Sequence, residues 1–216
     1  MLPEGGEAPV EVFRRRLQDR SPAYPLPLGD AALEGLAAYL AILDRERRRT
    51  NLTGPFSTEA LVEHALESAL GAGLLPPKAA VGDIGSGAGL PGVPLAIAAP
   101  SIRVVPVEPR RLRRDFLDAA ARELSLANLQ PSVASVRSLK ADSLDAVVSR
   151  AVGGIATILG KAPFLRRGGS FVAWTTDRYG LESALGKAFQ LERVLRVPGT
   201  ESKTIALYRF AADLRP

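Results

Sequence analysis

Apolar residues return every three or four positions between Leu33 and Leu43: Leu33, Leu36, Ala37, Leu40, Ala41 and Leu43. That period is helical and gathers one apolar stripe on one face. Asp30 stands where a cap can start the helix. Arg45 and Arg47–Arg49 fall at its far end, the negative end of its dipole. A shorter helix is predicted over residues 10–18, within an arm rich in Pro and Gly that covers residues 1–30. "TNLTGPF" breaks the rhythm. Ser57 then opens another helix, with Ala60, Leu61, His64, Ala65 and Ser68 on overlapping turns. Gly71, Gly73, Pro76 and Pro77 close it.

From residue 79 the pattern changes to short apolar runs alternating with amphipathic ones. Strands are predicted over 79–84, 102–108, 129–135, 144–149, 170–175, 191–197 and 203–210. Helices are predicted over 93–100, 110–126, 156–165 and 181–189. The β-α alternation implies an α/β fold: a doubly wound, mostly parallel seven-stranded sheet covered on both faces, with a small N-terminal helical extension. The last two strands have no helix between them, so that edge is expected to be antiparallel. Pro106 lies within a strand and has no N–H, which puts its nitrogen at a bulge or an edge. Residues 1–78 read as the arm and extension, and 79–216 as the sheet domain.

Composition narrows the chemistry. A chain of 216 residues with 46% hydrophobic content suits one globular domain. The absence of cysteine excludes a disulfide scaffold, a thiolate-held zinc and a cysteine nucleophile. The single histidine, His64, argues against a multi-histidine metal site, and no metal is expected. No run approaches the roughly 20 apolar residues of a membrane span, and "MLPEGGEAPVEVFRRR" lacks the apolar heart of a secretion signal. These features predict a soluble, cytoplasmic protein with no membrane partner. The net charge of +5 comes from clustered arginines at 14–16, 45–49, 110–114 and 166–167. Their sum favours an anionic partner such as nucleic acid, while each cluster alone reads equally well as a solvated face.

The candidate site begins at "DIGSGAGLPG", residues 83–92. No Lys-Ser or Lys-Thr follows the glycines, so a phosphate-binding P-loop is absent. The spacing is G-x-G-x-G, and Asp83 would set a negative charge beside a pyrophosphate. A carboxylate there suits a ligand that is cationic at that end. S-adenosylmethionine fits, with its amino group and sulfonium. Gly85, Gly87 and Gly89 let the turn approach such a ligand where a Cβ would collide. Glu108 ends the next strand, where an acid takes ribose hydroxyls in doubly wound sheets. With no cysteine and no Asn/Asp-Pro-Pro-aromatic signature after 144–149, the cheapest methyl acceptor is one that is already a nucleophile. Ring nitrogen 7 of guanine carries a lone pair and no proton, so it needs no general base. Arg150 sits at the carboxyl end of a central strand, the side where open α/β sheets bind ligands. His64 reads as a packed side chain of a helix that covers the cleft. Trp174 reads as a cleft wall or as a stacking platform for a base.

"TNLTG", "VEHALESAL", "VGDIGSGAGLPGVPLAIAAP", "FLDAAARELSLANLQ" and "LDAVVSRAVGGIATIL…RRGG", in that order, resemble the bacterial small-subunit ribosomal RNA guanine-N(7) methyltransferases, the RsmG or glucose-inhibited division protein B family. The resemblance implies a class I S-adenosylmethionine-dependent methyltransferase fold and methylation of a guanine in 16S ribosomal RNA. It implies ribosomal RNA or the small ribosomal subunit as partner, with the enzyme acting as a monomer. Gly85, Leu90, Glu108, Val136, Arg137 and Arg150 correspond to cofactor-binding positions, Arg150 also being the implied catalytic residue, and Asp83, Ser86, Gly87 and Gly89 complete the candidate cofactor site. Asn51, His64 and Arg113 correspond to the substrate side. Thr53 and Ser68 fall in the same signatures, and Glu67 stands where the family has Asp. The chain also departs from the family. Ser135, Val136 and Arg137 replace its Arg-Ala-Glu, Trp174, Thr175 and Thr176 replace a strand end in Lys-Gly, and Leu112 precedes Arg113 where a Lys is usual. These departures leave open a non-catalytic or retargeted ribosome-assembly paralogue, or a small-molecule methyltransferase.

Overall fold

The structure, a computed structural model, describes residues 9–49, 52–54, 56–160 and 163–211. Residues 1–8 of the arm, Asn51, and positions 161–162 of the helix predicted over 156–165 lie outside the described residues.

Three helices precede the sheet: α1 (Pro9–Arg20), α2 (Asp30–Arg47) and α3 (Thr58–Leu70). The expected caps are half right. The Ser57 side chain accepts from the Ala60 N–H at 3.1 Å, a contact worth about 1 kcal/mol. The cap of α2 is Gly29, with no side-chain hydrogen bond, and Asp30 lies inside the first turn. There its charge still complements the helix dipole.

The sheet then alternates with helices: β1 (Ala80–Ile84), α4 (Gly92–Ala98), β2 (Arg103–Val107), α5 (Arg111–Glu123), β3 (Leu144–Arg150), α6 (Ile155–Gly160), β4 (Leu165–Thr175), α7 (Arg178–Leu185), β5 (Phe189–Arg196) and β6 (Thr204–Phe210). The strand order is β2-β1-β3-β4-β6-β5. β1, β2, β3 and β4 are parallel, while β6 runs antiparallel to both β4 and β5.

Six strands form among the described residues, where seven were expected. The missing one is 129–135, which makes only isolated bridges to β2, at Leu129 and Val133. Its pairing starts regularly, with Gln130 N–H donating to the Val104 carbonyl at 2.8 Å. Pro106 then has no N–H to give back, and the N–H of Ser132 is taken by Asp118 at 2.9 Å. The chain slips by one residue, so that Val133 donates to the Pro106 carbonyl at 2.9 Å. The proline nitrogen therefore faces the sheet edge, as its chemistry requires.

β4 also begins earlier than the periodicity suggests. Leu165 pairs with Leu144, the register shifts, and Ser170 pairs with Ala146. The "RRGG" stretch that should have ended a helix is an irregularity within the strand.

Neighbouring strand residues face opposite layers, as the two-residue period dictates. Val148 and Val172 join a core with Leu17, Leu36, Leu40, Leu66, Leu95 and Leu117, so α1 to α5 cover that face. Val147 and Phe171 join the other core with Leu159, Leu185 and Phe189, under α6 and α7. No helix among the described residues is long and apolar enough to cross a membrane.

Candidate active site

The carboxyl ends of β1, β2 and β3 open into a cleft of about 630 Å³. The order β2-β1-β3 reverses direction at β1, and open sheets bind ligands at such a point.

The glycine turn is built mainly from backbone bonds. The N–H groups of Gly85 and Ser86 both donate to the Val107 carbonyl, at 2.8 and 3.2 Å. The Ser86 hydroxyl donates to the Asp83 carbonyl at 2.8 Å and accepts from the Val107 N–H at 3.0 Å. Ser86 thus fastens β1 to β2 with its side chain buried, and the fold itself uses the hydroxyl expected for a ligand.

The glycines do different jobs. Gly85 has φ 77°, and Val152 occupies the place of its missing Cβ. Gly89 is crowded by Leu117 and the Tyr39 hydroxyl, at 3.1 and 3.2 Å from an added Cβ. Close approach at these two positions is by the chain itself. Only Gly87, with φ 57°, faces open space, the Arg113 Nη1 being 3.7 Å from an added Cβ. Of the three, Gly87 alone leaves its Cβ side uncrowded. The Tyr39 hydroxyl, from α2, donates to the Ala88 carbonyl at 2.8 Å and pins the turn from behind.

Asp83 departs from its expected place. It is 1% exposed and is not part of the cleft wall. One carboxyl oxygen accepts from the Gly92 N–H at 3.2 Å, and the other is buried without a partner. Burial pushes its pKa up from 3.8 to about 7, against the opposing pull of Ser86, Gly92 and Arg150. Asp83 supports the turn from beneath instead of gripping a ligand in the cleft.

Glu108 does stand in the wall. Its two oxygens accept from the N–H groups of Gly87 and Arg110, at 2.9 and 3.0 Å. Each keeps a further lone pair, which suits a vicinal diol. Leu90 and Val136 supply apolar flanks to the same cleft. Arg137 does not: it is exposed, and its N–H turns to the Ser135 hydroxyl at 3.2 Å. Arg113 lies at the mouth, 3.9 Å from Glu108.

A second cavity, of about 540 Å³, lies past the end of β3 and shares Phe56, Arg150, Ala151 and Val152 with the first. Ala151 has φ 53°, a left-handed conformation that costs a non-glycine residue about 1 kcal/mol. Strain of this kind gathers where function fixes the backbone. His64 belongs to this cavity, edge-on to Phe56 at 4.8 Å. The Ser68 hydroxyl is spent on the His64 carbonyl, at 2.6 Å.

Glu67 organises the polar corner. It is 4% exposed. Lys203 Nζ lies 2.5 Å from one carboxylate oxygen. His64 Nδ1 and Arg150 Nη1 lie 3.3 and 4.0 Å from the other. Burial pushes the Glu67 carboxyl up, but hydrogen bonds from His64 and Lys203 hold it below its ordinary value, so it stays ionised. Burial draws the Arg150 guanidinium down, and Nη1 has no hydrogen-bond acceptor. The Trp174 indole N–H donates to the Glu67 carbonyl at 2.8 Å, which makes Trp174 a wall and spends its polar edge.

Lys203 and Phe56 escaped the sequence reading. Lys203 immediately precedes Thr204, which pairs with Thr175 at the end of β4. A neighbouring strand therefore brings an ammonium to the place where β4 itself ends in threonines. Nothing in the spacing of one lysine before a strand signals this. Asn51 lies outside the described residues.

Known proteins resemble this chain in sequence and in fold. The ribosomal RNA small subunit methyltransferase G of Wolinella succinogenes is 36% identical over 146 residues, 68% of this chain and 76% of that protein. One of the same name from Desulfitobacterium hafniense is 30% identical over 99% of this chain and 87% of its own length. Among solved structures, M. jannaschii TYW2 in complex with AdoMet has a TM-score of 0.53 at 18% identity, over 68% of this chain and 74% of that one. That likeness establishes the class I methyltransferase fold. The family model described as rRNA small subunit methyltransferase G matches residues 32–201, and the chain belongs to this family, GidB.

Proposed function

We propose that this chain transfers a methyl group from S-adenosylmethionine to ring nitrogen 7 of a guanine in 16S ribosomal RNA. The observation that carries the reading is a glycine-and-glutamate cradle opening, at Arg150, into a second cavity with apolar walls and one polar corner. The cradle fits the cofactor: Gly87 leaves its Cβ side open, Glu108 keeps lone pairs for the ribose hydroxyls, and Leu90 and Val136 flank the adenine. When bound, S-adenosylmethionine supplies a methyl group on a positively charged sulfur.

The chain's own contribution is placement. N7 needs no deprotonation, so the transfer requires no general base. The walls at Phe56, Val152 and Trp174 exclude water and hold the base in plane. Aligning the two reactants in this way is worth several orders of magnitude in rate.

The RNA path runs past the cleft mouth. A trench of about 690 Å³ joins Leu52–Gly54 to Arg110–Arg113. Leu112 is 71% exposed there among arginines. The ion pairs of Arg111 and Arg113 are long, 3.7 and 3.9 Å, so both cations stay available. By contrast, Arg47 and Arg48 are both held by Asp44 at 2.6 Å. One chain supplies both cavities, which supports action as a monomer, and an rRNA substrate implies the cytoplasm. The test is mass spectrometry of 16S rRNA from cells with and without the gene, joined to calorimetry with S-adenosylmethionine. Loss of one 7-methylguanine is expected. Cofactor binding with no change in rRNA methylation would overturn the reading.

A further inference from the structure

We propose that Lys203 and Arg150, held by the two oxygens of Glu67, form a donor pair that reads O6 of the base and selects guanine over adenine. This rests on the function proposed above and names what its second cavity recognises.

The cavity walls are mostly apolar, and the donors converge on one corner. Lys203 Nζ is bound to one oxygen of Glu67, and Arg150 Nη1 lies near the other. Lys203 has three N–H donors and shows one partner, Glu67. Arg150 Nη1 is buried with no acceptor at all. Buried donors without acceptors are rare and costly, so the corner is incomplete until a ligand brings an acceptor. Lys203 lines the second cavity and not the first, so the acceptor it meets belongs to the substrate.

A purine methylated at N7 presents its neighbouring C6 group to the same side. In guanine that group is O6, an acceptor, and in adenine it is an amine, a donor. Two cationic donors bond to the first and oppose the second, which is itself a donor. Glu67 has a second consequence. The methylated base is cationic, and an ionised carboxylate between the two cations keeps the corner from opposing that charge. Glu67 is therefore a positioning residue, and Lys203 the specificity-determining one.

The test uses the full chain and two RNA fragments. One contains the guanine that the wild-type protein methylates. The other carries 2-aminopurine there, which keeps N7 and lacks O6. The wild-type protein is expected to prefer guanine in kcat/KM. Lys203→Met should lower kcat/KM for guanine by about tenfold or more, as loss of a hydrogen bond to a charged donor does, and leave 2-aminopurine nearly unchanged. Lys203→Arg should restore most of the guanine rate. Unchanged S-adenosylmethionine affinity in Lys203→Met, together with the unchanged 2-aminopurine rate, excludes a folding defect. An equal fall for both fragments would mean a phosphate contact or a structural role, and would overturn the inference. So would no fall for either, or a wild-type protein indifferent to O6. If the wild-type protein methylates no guanine at all, it is the proposed function that fails.

Discussion

Asp83 and Glu67 are both buried carboxyl groups, and their surroundings drive them in opposite directions. Burial dominates at Asp83 and raises it to about 7. At Glu67 the hydrogen bonds from His64 and Lys203 outweigh burial and lower it. The consequence for Asp83 has a definite sign. Between 3.8 and about 7 the folded chain holds a proton that the unfolded chain has lost, so this group's contribution to stability falls as pH rises through that window. Asp83→Asn keeps an oxygen for the Gly92 N–H and removes the titration. Urea midpoints should therefore decline less steeply for Asp83→Asn than for the wild type between about pH 4 and 7, and parallel profiles would count against the burial argument. The glycines divide in the same local way. Gly85→Ala meets Val152 and should cost stability by about 1–3 kcal/mol, read by denaturant unfolding. Gly87→Phe should cost about 1–2 kcal/mol through its φ, yet weaken S-adenosylmethionine binding at least tenfold in calorimetry. If both variants bind the cofactor equally well, Gly87 is not its contact. The motif was legible in the sequence, but the division of labour was not. Val152 and Tyr39 decide it, and no spacing within residues 83–92 reveals them.

At the scale of elements, long periodic segments were the readable ones. The helical stripe of Leu33, Leu36 and Leu40 became α2, and the alternation around Val147 and Val148 became β3. What failed was wherever a backbone donor had to be counted across strands. Residues 129–135 have strand composition, but Pro106 and the Asp118 hold on Ser132 break the ladder. The start of β4 failed because its irregular register is set by β3. The junction of α3 with the sheet was also invisible in the sequence, and it can be tested. Gly71 lies just past α3, directly against the Trp174 ring, whose indole N–H is fixed to Glu67. Gly71→Ala should push this wall and destabilise the protein by about 1–3 kcal/mol, measured by urea unfolding. A change below about 0.5 kcal/mol would show that the ring yields freely.

For the molecule as a whole, the boundary expected at residue 78 marks a change in sequence rhythm more than a break in packing. Leu17, Leu36 and Leu66 share one core with Val81, Val148 and Ile205. The second cavity is a joint product too, with His64 and Glu67 from α3 and Arg150 and Lys203 from the sheet side. The polar network was therefore readable only in pieces: Arg150 and His64 came from motifs, Lys203 from the fold alone. The charge of +5 is distributed in a way that composition hides, because Arg45, Arg47 and Arg48 are matched by nearby carboxylates while the trench at Arg110–Arg113 is not closely matched.

Tyr39 ties these scales together. Its hydroxyl bridges from the middle of α2 to the Ala88 carbonyl, although no α2 residue borders the cleft. Tightening of the turn around a methyl donor is relayed through that bond into a helix distant from the chemistry. Amide hydrogens in the centre of α2 should accordingly exchange with deuterated solvent more slowly once the donor is present, and Tyr39→Phe should uncouple the helix from the ligand.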